Sequence, residues 1–361
     1  MSSKVVMLTG SNGFVGAGVL AELLDNTDWV FLLPTTSMHH GSQTRLNNTL
    51  FRYNQREMVR YPGSPTLSDE RVKIVRVDLS QPFTHRVFGN VPKPDIILNI
   101  ASESHVDRSI EDPVPFVQNN VSLMLNVLEY AREVQPDLVL HMSTDEVFGN
   151  ARDGEYHKEW DPIRPSNPYS ASKAAQEAIA YSYWRTYGVP LVITNTMNLI
   201  SPVRNSPQGS EKFIPMVIKR LMNDEEVTIH VDENGQSGSR CWIDVRDFAD
   251  AWMFLINYYM DNPLEAKYYP VQRHTPARFN IVGPERSNRW MAERLAELLG
   301  VDNPKLVDVD FHGSRPGHDP RYALDGTKLE ELHWGGPRAL EVTLQDIVVD
   351  YQNHPEMLEE R

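Results

Sequence analysis

Two adjacent acids, Asp145 and Glu146, follow Thr144 at the end of an apolar run, in the stretch LHMSTDEVFG (140–149). A second constellation is YSASK (169–173), where Tyr169 and Lys173 stand four apart and so share one face of a helix. A phenol with a pKa of about 10 is a poor base at neutral pH, but a nearby cation favours the phenolate, which can then take a proton from an alcohol undergoing oxidation. Thr144, at the end of the strand before that helix, can share the same substrate oxygen through its hydroxyl. Oxidation asks for no more than this set and a hydride acceptor, so the acid pair implies further proton chemistry. One carboxylate would remove a carbon-bound proton, and one carboxylic acid would protonate a departing hydroxyl. Side by side, each disfavours ionisation of the other, which helps keep one protonated. The plain alternatives are a helix N-cap with a solvated acid beside it, and a packed Tyr with a snorkelling Lys.

These residues need a scaffold, and the chain supplies one by alternation. KVVMLT (4–9), WVFLLP (29–34), VKIVRV (72–77), DIILNIA (95–101), LVLHMS (138–143) and LVITNT (191–196) read as continuous apolar strands buried on both faces. Helix-length segments such as 113–133 and 168–187 lie between most of them, the signature of a parallel sheet wrapped by helices. The expected fold is α/β, a Rossmann-type doubly wound parallel sheet over residues 1–200. A smaller substrate-binding lobe is expected over 201–361, where Pro and Gly increase and strands shorten.

The first strand runs into TGSNGFVG, with Gly10, Gly13 and Gly16 ahead of a helix. A pyrophosphate needs backbone N–H groups at close range and a helix N-terminus aimed at it, so this loop, with Asn12, Phe14 and Val15, is the candidate dinucleotide site. A positively charged nicotinamide ring would also favour the Tyr169 phenolate. An acid that grips the adenosine ribose is expected about 20 residues past the glycines. None stands between Phe31 and Arg45, where Thr35, Thr36, Ser37, His39 and Arg45 could instead meet a 2′-phosphate. NADP is therefore slightly favoured, the alternative being NAD held with fewer contacts. Asp78 and Leu79 would sit beside the adenine. Segment 35–70 is a long connection whose Arg45, Arg52, Arg56 and Arg60 read as the solvated face of a surface helix, with a cofactor-facing role for one of them as the alternative.

Composition narrows the class. The 361 residues include one cysteine, Cys241, so no internal disulfide framework exists and a reducing, cytoplasmic setting is expected. A net charge of −14 argues against nucleic acid as a partner. No signal peptide, membrane span or set of metal ligands is read.

ASESHVDRSI (101–110), STDEVFG (143–149), NPYSASKAA (167–175), WRTYGVPLVITN (184–195), EKFIP (211–215) and RPGHDPRYALD (315–325) together resemble the dTDP-glucose 4,6-dehydratases. These belong to the extended short-chain dehydrogenase/reductases, whose glycine spacing the first loop shares. The resemblance implies that Thr144 contacts a substrate hydroxyl, Asp145 is the acid, Glu146 the base, and Tyr169 with Lys173 the oxidising pair. It implies a tightly bound, recycled NAD(P), with Ile100, Ala101, Ser102 and Asn119 joining the cofactor contacts. Substrate contacts would be Ser104, Asn198, Lys212, Phe213, Arg240, Asn280, Arg315 and His318, with Thr228 and His230 as further candidates; Arg240 and Arg315 suit a diphosphate. The substrate would be a nucleotide sugar and the product its 4-keto-6-deoxy form. A homodimer would pair helices 113–133 and 168–187 through Val121, Leu125, Leu128, Ala175, Ile179 and Tyr183. The chain departs from the family in the missing ribose acid, in Asn198-Leu199-Ile200-Ser201-Pro202 and in Arg240-Cys241-Trp242. An epimerase or decarboxylase on the same scaffold would keep Thr, Tyr and Lys without needing the Asp-Glu pair. A cofactor-binding protein without catalysis is opposed by the intact Thr144, Tyr169 and Lys173.

Overall fold

The computed structural model describes residues 3–36, 43–60, 71–202, 208, 212–267, 274–310 and 319–358, with the side chains of 43, 44, 52 and 55–60 outside that description. Seven strands form one parallel sheet: β1 (Val5–Thr9), β2 (Val30–Thr35), β3 (Val72–Arg76), β4 (Ile96–Asn99), β5 (Leu138–Thr144), β6 (Leu191–Thr196) and β10 (Ala277–Ile281), in the order β10-β6-β5-β4-β1-β2-β3. The order reverses between β1 and β4, and a crevice opens there beyond the carboxyl ends of the strands. A single hydroxyl organises that point. Thr9 Oγ1 donates to Asn99 Oδ1 and accepts the N–H groups of Ile100 and Ala101.

Alternation along the strands builds two cores. Val6 and Leu8 face α1 (Phe14–Asn26) and α7 (Val245–Asp261), whereas Met7 faces α4 (Pro113–Val134) and α5 (Pro168–Tyr187). Five of the six apolar runs read as strands are buried as expected, but β3 is not. Its Ile74 is 39% exposed, because an edge strand has a neighbour on one side only. A surface helix does occupy the long connection, as α2 (Gln43–Arg60). The short α3 (Val106–Glu111) precedes α4.

Chain beyond residue 200 contributes to both layers. β10 extends the large sheet beside β6, and α7 packs on α1. The remainder forms a second core from α6 (Phe213–Met222), α8 (Asn288–Leu299) and α9 (Leu340–Asn353), with β8 (Val227–Val231) and β9 (Ser239–Asp244) contributing Ile229 and Trp242. A helix of the sheet unit thus arises from sequence that looked like the small lobe. No helix among the described residues is long and apolar enough to cross a membrane.

Candidate active site

A cleft of about 1090 Å³ opens at the strand-order reversal. Its first wall is backbone. Gly10 turns at φ +71°, and a Cβ there would stand 3.0 Å from Ala101 N; at Gly16 a Cβ would lie 2.1 Å from Gly10 O. Gly13 N donates to Gly10 O at 2.9 Å and ends as the N-cap of α1 without any side-chain cap, so the first-turn N–H groups remain for a ligand. Ser11 Oγ is buried there with no partner among the described residues. Cradle and donor set fit a pyrophosphate, so the residues present suit a bound dinucleotide. Asn12 Nδ2 reaches Thr36 O at 2.9 Å and Arg45 Nη1 reaches Asn12 O at 3.2 Å, tying the loop to the end of β2.

The expected cofactor residues Gly10, Asn12, Gly13, Phe14, Val15 and Gly16 line the cleft, as do Thr36, Arg45, Asp78 and Leu79. Ile100, Ala101, Ser102, Asn119, Tyr169 and Lys173 line it too. Ser37 and His39 lie outside the described residues. The solvated-face reading of the arginines does not hold for Arg45, whose guanidinium is drawn in by the Asn12 carbonyl.

The second wall carries side chains. Tyr169 opens α5, which starts at a capping box on Asn167 with Pro168 at its first position. Phe116 packs edge-on against the Tyr169 ring, and Tyr169 N donates to Ser109 Oγ. Lys173 is 4% exposed and its Nζ donates to Met142 O at 2.8 Å and Gln176 Oε1 at 2.7 Å. Burial lowers its pKa to about 7, with Glu177 one turn on opposing the fall. Burial and the neighbouring acids Glu146 and Asp145 push the Tyr169 phenol above its ordinary value, and contact with Thr144 opposes them. Phenol and ammonium share a helix face, as their spacing requires, but the ammonium turns toward the β5 carbonyl.

Thr144 ends β5 and caps the 3-10 turn Asp145–Phe148, accepting Glu146 N at 3.3 Å and donating to Asp145 Oδ1 at 2.9 Å. The cap therefore exists, but the acid beside it is not solvated: Asp145 is 5% exposed and its Oδ2 is buried without a partner among the described residues. Burial raises Asp145 to about 6 against the Thr144 hydrogen bond. Burial, then the Asp145 charge, raise Glu146 to about 7 against the hydrogen bond from Asn167. Both carboxyls thus keep their protons to higher pH than ordinary acids, beside a phenol and next to Ser143, which lines the cleft.

The substrate candidates divide. Ser104 and Lys212 line the cleft. Phe213 follows Lys212 and packs on Trp242, Asn198 opens β7 (Asn198–Ile200), and Thr228 accepts from Arg220. His230 lies on β8 opposite Val309, away from the cleft lining. Asn280 is fully buried, with its amide given to His157 O and Asp325 O, which leaves it no access to the cleft. Arg240 does not line the cleft either. Its guanidinium donates to Ser239 O, Asp319 O and Pro320 O and covers the Tyr322 ring, and its charge lowers both Asp145 and Glu146. Arg315 and His318 lie outside the described residues. Met216, Lys219 and Arg220 line the cleft and were not foreseen, although their helical spacing from Lys212 places all four on one face of α6. Arg108, on α3, also lines it and lies within the ASESHVDRSI stretch.

The chain is similar to known proteins over most of their length. A low-salt glycan biosynthesis protein, Agl12, of Haloferax volcanii is 34% identical over 96% of this chain and 97% of its own. A probable dTDP-glucose 4,6-dehydratase of Sinorhizobium fredii is 36% identical over 67% of each chain. The crystal structure of DesIV, a dTDP-glucose 4,6-dehydratase from Streptomyces venezuelae with NAD and TYD bound, superposes with a TM-score of 0.77 over 98% of both chains at 26% identity. Residues 6–268, which carry the glycine cradle, the acid pair and the Tyr-Lys helix, match the NAD dependent epimerase/dehydratase family, and the chain belongs to it.

Proposed function

We propose that this enzyme is a nucleotide-sugar 4,6-dehydratase, a hydro-lyase that converts an NDP-hexose, dTDP-glucose first among the candidates, to the NDP-4-keto-6-deoxy-hexose. The observation that carries the reading is the enclosed acid pair: an oxidation or epimerisation site has no use for two adjacent carboxyls with raised pKa values beside the phenol. Bound NAD(P) supplies the hydride acceptor at C4 and the donor at C6. Tyr169 takes the 4-hydroxyl proton, with Thr144 holding the same oxygen. The 4-keto group makes the C5 proton acidic, and Glu146 removes it. Asp145 then protonates the departing 6-hydroxyl from its unpartnered Oδ2. Two donors of Lys173 are anchored and the third remains for the dinucleotide or the phenol. Incubating the enzyme with a panel of nucleotide sugars and following loss of one water by mass tests the reading; turnover to an epimer without water loss would overturn it.

NADP is the dinucleotide we favour. Support comes from the absence of an acid between Phe31 and Arg45 and from the guanidinium of Arg45 in the cleft beside Thr35 and Thr36. Recovery of NAD alone from denatured enzyme, with no measurable NADP affinity, would refute it. For the assembly we favour a homodimer through α4 and α5. Leu125 is 37% exposed, and Val121, Ala175, Ile179 and Tyr183 are half-buried; Leu128 belongs to the core instead. Light scattering giving a monomer mass would exclude the dimer.

A further inference from the structure

Asn167 is 6% exposed and its side chain faces two ways. Oδ1 accepts Ser170 N at 2.9 Å, while Nδ2 donates to Glu146 Oε2 at 3.2 Å. A backbone N–H can only donate, so the carbonyl end of the carboxamide must face Ser170 and the NH₂ end must face the carboxylate. The reverse orientation would create two repulsive contacts. Ser170 Oγ completes the capping box by accepting Asn167 N at 3.2 Å.

The contact matters because of what surrounds Glu146. Asp145 and Asp319 oppose its charge, Arg240 favours it, and the phenols of Tyr169 and Tyr322 face it. Among the described residues Asn167 is the one hydrogen-bond donor to the Glu146 carboxylate. Asp145, by contrast, receives its hydrogen bond from Thr144 and keeps Oδ2 open. A hydrogen bond to the ionised form favours that form. Asn167 thus opposes the burial and the Asp145 charge that raise Glu146, as Thr144 opposes the burial of the more enclosed Asp145.

We propose that Asn167 is a positioning residue that holds Glu146 as the base while capping the helix that carries Tyr169 and Lys173, so one carboxamide joins the elimination group to the oxidation group. This rests on the dehydratase reading. Asn167→Ser and Asn167→Asp both retain an N-cap acceptor, so neither should disturb α5. Asn167→Ser replaces the carboxamide by a hydroxyl too short to cap Ser170 N and reach Glu146 together, and should slow C5 solvent exchange and dehydration ~10-fold, the effect of one hydrogen bond to a charged group, with single-turnover C4 oxidation changed less than ~2-fold. Asn167→Asp places a carboxylate against a carboxylate and should move the acid limb of the dehydration profile up by about one pH unit. In parallel, a carbon-13 carboxyl titration should show Glu146 binding its proton more tightly in both variants, a readout that needs no turnover. Unchanged titration and unchanged pH profile would overturn the proposal, as would equal loss of oxidation and dehydration, which is what a capping role alone produces. A wild-type enzyme that removes no water from any nucleotide sugar would sink the dehydratase reading instead, and the carboxyl titration would still decide the contact.

Discussion

At the nucleotide end of the cleft a ligand meets backbone: a glycine turn, an uncapped helix N-terminus and the Thr9-braced ends of β1 and β4. At the reacting end it meets side chains, and each of these has a neighbour that changes what it can do. Asp145 and Glu146 are adjacent in sequence yet unequal, because one is bonded by Thr144 and the other by Asn167. The backbone end tolerates almost no change of shape, whereas the side-chain end is sensitive to changes of charge that leave the shape alone. Binding is therefore decided by space and chemistry by protonation.

The largest effect expected from this contrast is at Gly16. A Cβ there would overlap Gly10 O, so Gly16→Val should abolish retention of the dinucleotide, measured as nucleotide released by denaturing the purified protein. Retention at the wild-type level would mean that the cradle is not the binding site. Next comes a pair that separates the two steps. Tyr169→Phe should slow C4 oxidation by the ~10²–10⁴-fold typical of losing a positioned acid–base group. Glu146→Gln should stop C5 exchange to a similar degree and still permit C4 oxidation, so a Gln variant that dehydrates at the wild-type rate would remove Glu146 from the mechanism.

Arg45→Ala sharpens the comparison from the binding side. It should weaken NADP by ~1.5–3 kcal/mol, the scale of a charged hydrogen bond, and leave NAD nearly unchanged in an equilibrium titration. Equal effects on both would assign Arg45 to bracing the Asn12 carbonyl only.

The smallest effect is on stability, and its sign follows from the raised carboxyls. Asp145 and Glu146 titrate higher in the fold than their ordinary values, so the native state binds more protons than the unfolded chain between about pH 4 and 7. Their contribution is fully present below the unfolded values and is lost as pH rises through about 6 and 7. The double variant Asp145→Asn, Glu146→Gln should therefore exceed wild type by on the order of 1–3 kcal/mol at about pH 8, most of it from the nearly inaccessible Asp145, and the difference should vanish near pH 4. Urea unfolding at the two pH values reads this directly; a double variant less stable at both would mean the acids are structural.

Arg240 and Arg45 show where reading residues in order reaches its limit. Both are arginines near phosphate-binding candidates, and folding commits each guanidinium to backbone carbonyls from distant segments. Arg240 is taken up by carbonyls that Asp319 and Pro320 bring from about eighty residues away, a contact with no local signature. Arg45 looked solvated from its helix period, but the glycine loop presents the Asn12 carbonyl to it from 33 residues upstream. Asn280 and β10 tell the same story: a short apolar run after a looser region joins the main sheet only because β6 offers it an open edge.

What the amino-acid order alone determined was everything governed by short period and local sterics. The six parallel strands and the helices 113–134 and 168–187 follow from continuous apolar runs and helical faces. The phosphate cradle follows from glycines, of which Gly10 turns at positive φ and Gly16 leaves no room for a Cβ, and the candidates for the reacting groups are Thr144, Asp145, Glu146, Tyr169 and Lys173. Tertiary structure decided which side chain spends its hydrogen bonds on which partner: Lys173 on Met142, Arg240 on Pro320, Asn167 on Glu146. Such choices depend on distances between segments far apart in the chain and on how completely water is excluded, and both are set only when the cores close.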